Sequence, residues 1–443
     1  MLAIIIPLTL LLLIIYGIWI WKKCPYSIPF ILLFFIEIAW GTLSIVWIDQ
    51  GAYISEQLRT SYFTGASIRY ILLMLPFALI FPWKTHKYIM RNLERVNPKK
   101  LAFVIKDVAV NDLIWYFCVF VVCYLYIDIA ISGIPLFSTI ISKSSFYSQY
   151  SKLPYTGVLH SYILPFAMII FGIKFGKSIK NKASLRKPLI LAASVLIYQL
   201  LLENKFYGLY DFAIFFIIPV LTLNYKIFVK KRKIPIKAIG VSLICVGVIL
   251  FICYNQYSQT RVNAFQYLLD RLFVLQSHTF WGVDLLVQGG KSGFNLQKLI
   301  NELSGGIAGV DIRNSNYGIA KIMYDVTAST YADDMIKTGF LFAGSFITVS
   351  LSYSGYILTF LLSFFIAEIT ARASATLMMF CDYPNYMILF LAFWVYRRYF
   401  EYFRVGTLSM ILSWKMLIVY GLLLWLCIAI YRKRSVVLIE SVM

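Results

Sequence analysis

Arginine is the residue whose placement in this chain suggests chemistry. Its planar guanidinium donates two parallel hydrogen bonds to a carboxylate or phosphate and keeps its charge at any physiological pH. Arg397, Arg398 and Arg404 fall within eight residues, with Glu401 among them. Arg397, Glu401 and Arg404 are spaced by four and three, so they share one face of a helix. That spacing also suits a plain intrahelical Arg397–Glu401 pair. Arg271 and His278 are seven apart and share a face if a helix beginning near Ala264 runs through both. An imidazole titrates near neutral pH and can take a proton from a hydroxyl. Asp211 stands within an apolar run, where an ionisable group is costly and marks a functional candidate, with Lys205 as its nearest counter-charge. Arg261 and Arg313 are further candidate anion ligands; Arg313, in Asp311-Ile312-Arg313-Asn314, equally suits a local turn. Glu37 lies in the middle of another apolar run and has no evident role from the sequence alone.

The elements that must position these residues are membrane helices. Of 443 residues, 60% are hydrophobic and 14% charged, where soluble domains average about 25% charged. Eleven apolar blocks approach or exceed the length needed to cross a bilayer: 2–21, 27–48, 67–83, 112–131, 155–172, 189–204, 206–223, 238–254, 351–370, 384–400 and 408–430. The sixth and seventh are separated by Lys205 alone and read as a tight hairpin. The alternation of barrel strands is missing, which leaves a helical bundle. The first block has no basic leader and no small-residue cleavage site, so it reads as a span.

Lys and Arg favour cytoplasmic loops. With the N-terminus outside and the C-terminus inside, the inner segments collect 25 of the 41 bases and 6 of the 20 acids. The net charge of +21 is then mostly a topological signal, and a nucleic-acid partner is not implied. All the candidate arginines fall on the outer side. Residues 1–254 would hold spans one to eight, with a Ser/Tyr-rich outer loop at 132–154. Residues 255–350 would form one large extracytoplasmic loop, and 351–443 spans nine to eleven with a basic cytoplasmic tail. Within the large loop, 264–276 and 295–303 read as amphipathic helices, and 333–349 as an interfacial helix leading into the ninth span.

This arrangement resembles the O-antigen polymerases, the Wzy-like enzymes of bacterial surface polysaccharide. The likeness rests on the outside-first layout with one large late loop, on Gly133-Ile134-Pro135-Leu136-Phe137 opening the smaller loop, and on Asn204-Lys205-Phe206-Tyr207-Gly208 at the hairpin. The resemblance implies an all-α, polytopic, GT-C-like bundle in the bacterial inner membrane with its active site facing the periplasm. It implies a glycosyltransferase that joins undecaprenyl-diphosphate-linked oligosaccharides, in the bilayer and together with a chain-length regulator protein. On this reading Arg261, Arg313, Arg397, Arg398, Arg404 and Lys205 hold the diphosphate, while His278, Arg271 and Asp211 serve the reaction.

Metal ligation has weak support. Asp333-Asp334 is the one adjacent acidic pair, and it reads as a solvated face or helix-terminal charge. The seven cysteines show no CxxC spacing. No phosphate-cradling Gly-rich loop occurs. The expectation is therefore a cofactor-free, metal-independent transferase whose leaving diphosphate is neutralised by arginine. A ligase moving finished glycan onto a lipid core is the competitor in the same class, and a transporter or flippase of lipid-linked glycans the competitor from another.

Overall fold

The computed structural model describes residues 2–95, 108–138, 146–204, 206–225, 254, 264–382 and 385–440. The block 238–254, but for Tyr254, lies outside the described residues, as do Lys205 and Arg261. What is described is an all-α membrane protein with one two-stranded hairpin. In chain order the helices are α1 (Leu2–Lys23), α2 (Ile28–Ile48), α3 (Ala66–Arg95), α4 (Val108–Ser132), α5 (Leu164–Asn181), α6 (Arg186–Leu201) and α7 (Phe206–Leu223). Five shorter helices follow: α8 (Ala264–Phe273), α9 (His278–Gln288), α10 (Leu296–Ala308), α11 (Gly318–Val326) and α12 (Ser329–Lys337). The last three are α13 (Phe346–Asp382), α14 (Tyr386–Val405) and α15 (Trp414–Glu440). Among the described residues, six helical stretches are long and apolar enough to cross a membrane: 5–23, 25–48, 66–92, 112–137, 156–181 and 346–381. Gly208–Leu223 and Trp414–Leu426 are shorter apolar helices.

The α3–α13 pair is the most extensive in the bundle, and composition explains it. Thr359, Ser363, Ala367 and Ala371 recur every four residues along α13 and are fully buried, so the two backbones approach closely, as small residues allow in membranes. The Ser363 hydroxyl donates to the Leu73 carbonyl across the pair at 2.7 Å. At one end of this pair an aromatic core joins α2, α3, α13 and α14. Phe77 packs on Phe403 at 4.5 Å and on Phe34 at 5.4 Å, and Phe346 on Phe403 at 5.2 Å between ring centres.

Three expectations from the sequence are corrected. The ninth block is part of a 37-residue stretch, α13, that breaks at Gly355 (φ 69°, ψ −177°), a conformation essentially reserved for glycine. The break frees carbonyls, and the preceding loop satisfies them: Gly293 N donates to Ser352 O and Asn295 N to Tyr353 O. The interfacial helix expected over 333–349 is instead α12, ending at Lys337, then a non-helical segment before α13 starts at Phe346. The eleventh block is interrupted at Ser413, whose ψ of 146° separates a single turn, Ser409–Leu412, from α15. The fifth block keeps its helical course but carries a π-turn, Leu159–Ile163. Pro165 follows it and has no N–H to offer the Ser161 carbonyl.

Candidate active site

The cavity that the expected site residues approach lies where the bundle meets the helices of the long loop, and its volume is about 260 Å³. Glu37 and Gly41 of α2, Tyr70 of α3, Gln276, the Leu341–Ser345 segment and the Phe403–Val405 end of α14 form its wall. Small polar residues on α2 set the position of the loop above it. Ser277 Oγ donates to Gly41 O at 2.9 Å. Ser44 Oγ accepts from Ser277 N and donates to Val274 O, both at 3.1 Å. Gly41 is required at this crossing, since a Cβ there would stand 2.4 Å from the Tyr70 hydroxyl.

Arg404 connects the cavity to the arginine cluster. Its Nη1 lies 3.1 Å from Asp211 Oδ2, so α14 and α7 are tied by an ion pair between two of the expected site residues. The side chains are 34% and 18% exposed, and Asp211 Oδ1 is buried without a hydrogen-bond partner among the described residues. Glu401 is shared: its two oxygens take Arg397 Nε at 2.9 Å and Arg398 Nη1 at 2.7 Å. The intrahelical pair foreseen from the spacing therefore forms. The Arg398 guanidinium also lies over the Trp394 ring at 4.5 Å, a favourable cation–π placement. Arg397 Nη1 donates to Ser161 O, the carbonyl left over by Pro165. Three guanidiniums thus face two carboxylates, and only Arg404 lines the cavity.

Arg271 and His278 do not share a helix face. α8 ends at Phe273, a turn intervenes, and His278 opens α9. His278 is fully buried. Its Nδ1 contacts Leu275 O at 3.1 Å, its Nε2 lies 2.9 Å from Glu56 Oε2, and its carbonyl accepts from Gln57 Nε2 at 2.9 Å. Glu56 and Gln57 come from the hairpin β1 (Tyr53–Ile54) and β2 (Arg59–Thr60). Phe342 stands with its ring 5.0 Å from the imidazole and itself lines the cavity. His278 therefore touches the cavity wall from behind and has no surface in it. Arg271 is half-buried on α8, which packs on α2. Arg313 is exposed in a turn where its own N–H donates to Asp311 Oδ1 at 2.7 Å, away from the cavity. Asp333 and Asp334 fall in the middle of α12, not at its N-terminus, and Asp333 accepts from the Tyr324 hydroxyl.

Two features were out of reach of sequence reasoning. The Arg69 guanidinium binds both Asp284 oxygens, Nε donating to Oδ1 at 2.8 Å and Nη2 to Oδ2 at 2.6 Å. Asp284 is fully buried and also accepts from Tyr356 and Gln288. Asp128, fully buried on α4, accepts from Ser132, Ser151 and the amides of Lys152 and Leu153, and so fixes the smaller loop. Both are fully satisfied structural groups. Glu37 is different: its signal, a carboxylate in the middle of an apolar block, was visible in the sequence, and it lines the same cavity as Arg404. Comparison with protein-family models, with curated proteins and with solved structures gave no match for this chain.

Proposed function

We propose that this protein is a polytopic glycosyltransferase of about eleven spans, GT-C-like, that polymerises undecaprenyl-diphosphate-linked oligosaccharide repeat units on the periplasmic side of the bacterial inner membrane. The observation that carries the reading is Arg404: an arginine on the wall of a cavity between membrane helices and the long loop, held by Asp211 in a partly buried pair. In the reaction the bond between the donor's anomeric carbon and the diphosphate oxygen breaks, and a bond from an acceptor hydroxyl to that carbon forms. The hydroxyl proton passes to a base, and the lipid diphosphate leaves. Arg404 exchanges an Asp211 oxygen for a phosphate oxygen and neutralises the departing charge. Arg397 and Arg398 extend the positive side by the same exchange at Glu401. Glu37 is the carboxylate on the cavity wall able to take the proton, while His278 acts as a positioning residue behind Phe342.

The test is reconstitution. Purified protein in liposomes with lipid-diphosphate-linked repeat units is expected to yield lipid-linked dimers and longer products, and Arg404→Ala to stop it. In cells, a clean deletion is expected to leave surface lipopolysaccharide bearing one repeat unit. A full ladder in the deletion overturns the proposal; bare core would indicate a ligase, and movement of the glycan between leaflets without bond formation a flippase.

A further inference from the structure

α10 displays three distinct faces. Leu296, Ile300, Leu303 and Ile307 are 40–62% exposed, and at about 100° per residue they fall within an arc of about 60°. The face packed on the protein is another one, where Glu302 and Gly306 are buried, Gly306 against Leu408. Gln297, Asn301 and Ser304 form an exposed polar face, centred about 100° from the apolar stripe. A helix packed sideways on protein, polar on one exposed side and apolar on the other, has the form of one lying in a water–lipid boundary.

The two ends of α10 identify the surface that the stripe joins. At the start, Phe294 is exposed, and its backbone N would lie 3.2 Å from a Cβ on Gly355. Two residues beyond Gly355, Ile357 of α13 is 78% exposed. At the other end, Gly309 lies beside Ser413, the residue before Trp414. Trp414, Leu417 and Ile418 form an exposed apolar face at the start of α15. α13 is long and apolar enough to cross a membrane and α15 opens with the apolar helical stretch Trp414–Leu426, so the stripe is continuous at both ends with exposed apolar helix surface.

We infer that α10 is an interfacial helix whose apolar stripe is inserted at the acyl–headgroup boundary of the bilayer, bridging the exposed faces of α13 and α15, and that lipid is what covers it. The inference is independent of the polymerase reading, because it concerns a surface and not the reaction.

Site-directed spin labelling of the full chain in nanodiscs of phosphatidylethanolamine and phosphatidylglycerol tests it, with Cys123→Ser removing an exposed native thiol. A label at Ile300→Cys is expected to collide with oxygen several-fold more than with a water-soluble nickel chelate. A label at Asn301→Cys, about 100° round the helix from Ile300 on the polar face, is expected to show the reverse. Leu303→Cys repeats the apolar measurement should Ile300→Cys not reconstitute. Equal nickel accessibility at 300 and 301 overturns the inference, because the stripe then faces water. Shielding of position 300 from both reagents overturns it too, because a second copy of the chain then covers the stripe.

Discussion

Arg404 and Asp211, 193 residues apart in sequence, meet at 3.1 Å and join the last turn of α14 to the first turns of α7. Asp211 keeps one oxygen buried without a hydrogen bond among the described residues, so Arg404 is a principal compensation for its charge. Removing one partner of such a pair strands the other. Arg404→Ala is expected to lower stability by about 1–3 kcal/mol, less than for a fully buried pair because Arg404 is one-third exposed. Asp211→Asn combined with Arg404→Ala should recover about 1 kcal/mol of that loss. Both variants should lose chain extension by about 100-fold or more. Unfolding in nanodiscs and the liposome assay read the two effects separately; a double variant that polymerises normally removes Arg404 from the reaction.

Arg69 and Asp284 form the contrasting case. Asp284 is fully buried, bound at both oxygens by Arg69 and further satisfied by Tyr356 and Gln288. Asp284→Ala leaves the guanidinium, the phenol and the amide without their acceptor, and a loss of about 3–5 kcal/mol is expected. Denaturant unfolding of the purified variant checks it, and a loss below about 1 kcal/mol would contradict the clamp.

What the sequence disclosed follows the range of each interaction. The apolar blocks at 2–21, 27–48, 67–83 and 112–131 became helices because uninterrupted hydrophobicity and helical hydrogen bonding are both local. The Arg397–Glu401 pair was readable for the same reason, being one helical turn apart. Gly355 was not, since a glycine within an apolar stretch is compatible with an unbroken membrane helix, and only the amides of the 293–295 loop make the break favourable. His278 illustrates the limit for the site. Its spacing from Arg271 is meaningful only if one helix holds both, and the turn at 274–277 is set by Ser44 and Gly41, more than 200 residues earlier.

Gly355 supplies a backbone test. At φ 69° and ψ −177° any side chain is strained, and a Cβ would also approach Phe294 N at 3.2 Å. Gly355→Ala is expected to cost about 1–3 kcal/mol and to loosen the contact between the 292–295 loop and α13. Hydrogen exchange at the Gly293 and Asn295 amides should speed up together with the fall in stability. Unchanged exchange at both amides would mean that the break does not depend on the glycine.

Glu302 gives a pH dependence with a definite sign. It is buried on α10, and burial raises its carboxyl above the ordinary value, only partly opposed by the Gly318 N–H and by Lys321. Its Oε1 accepts from Gly318 N at 3.1 Å. The native state therefore holds the proton to a higher pH than the unfolded chain does. Between the unfolded value, about 4.3, and the raised native one, the native state binds more protons, and stability falls as pH rises. Below that window the stabilisation is fully present; above the native value it is lost. Glu302→Gln has no proton to lose and keeps an oxygen for Gly318 N. Its melting temperature should match that of the parent at the acid end and exceed it at neutral pH. Parallel stability–pH profiles for parent and variant would show that Glu302 titrates as it does in the unfolded chain, and that burial on α10 does not govern it.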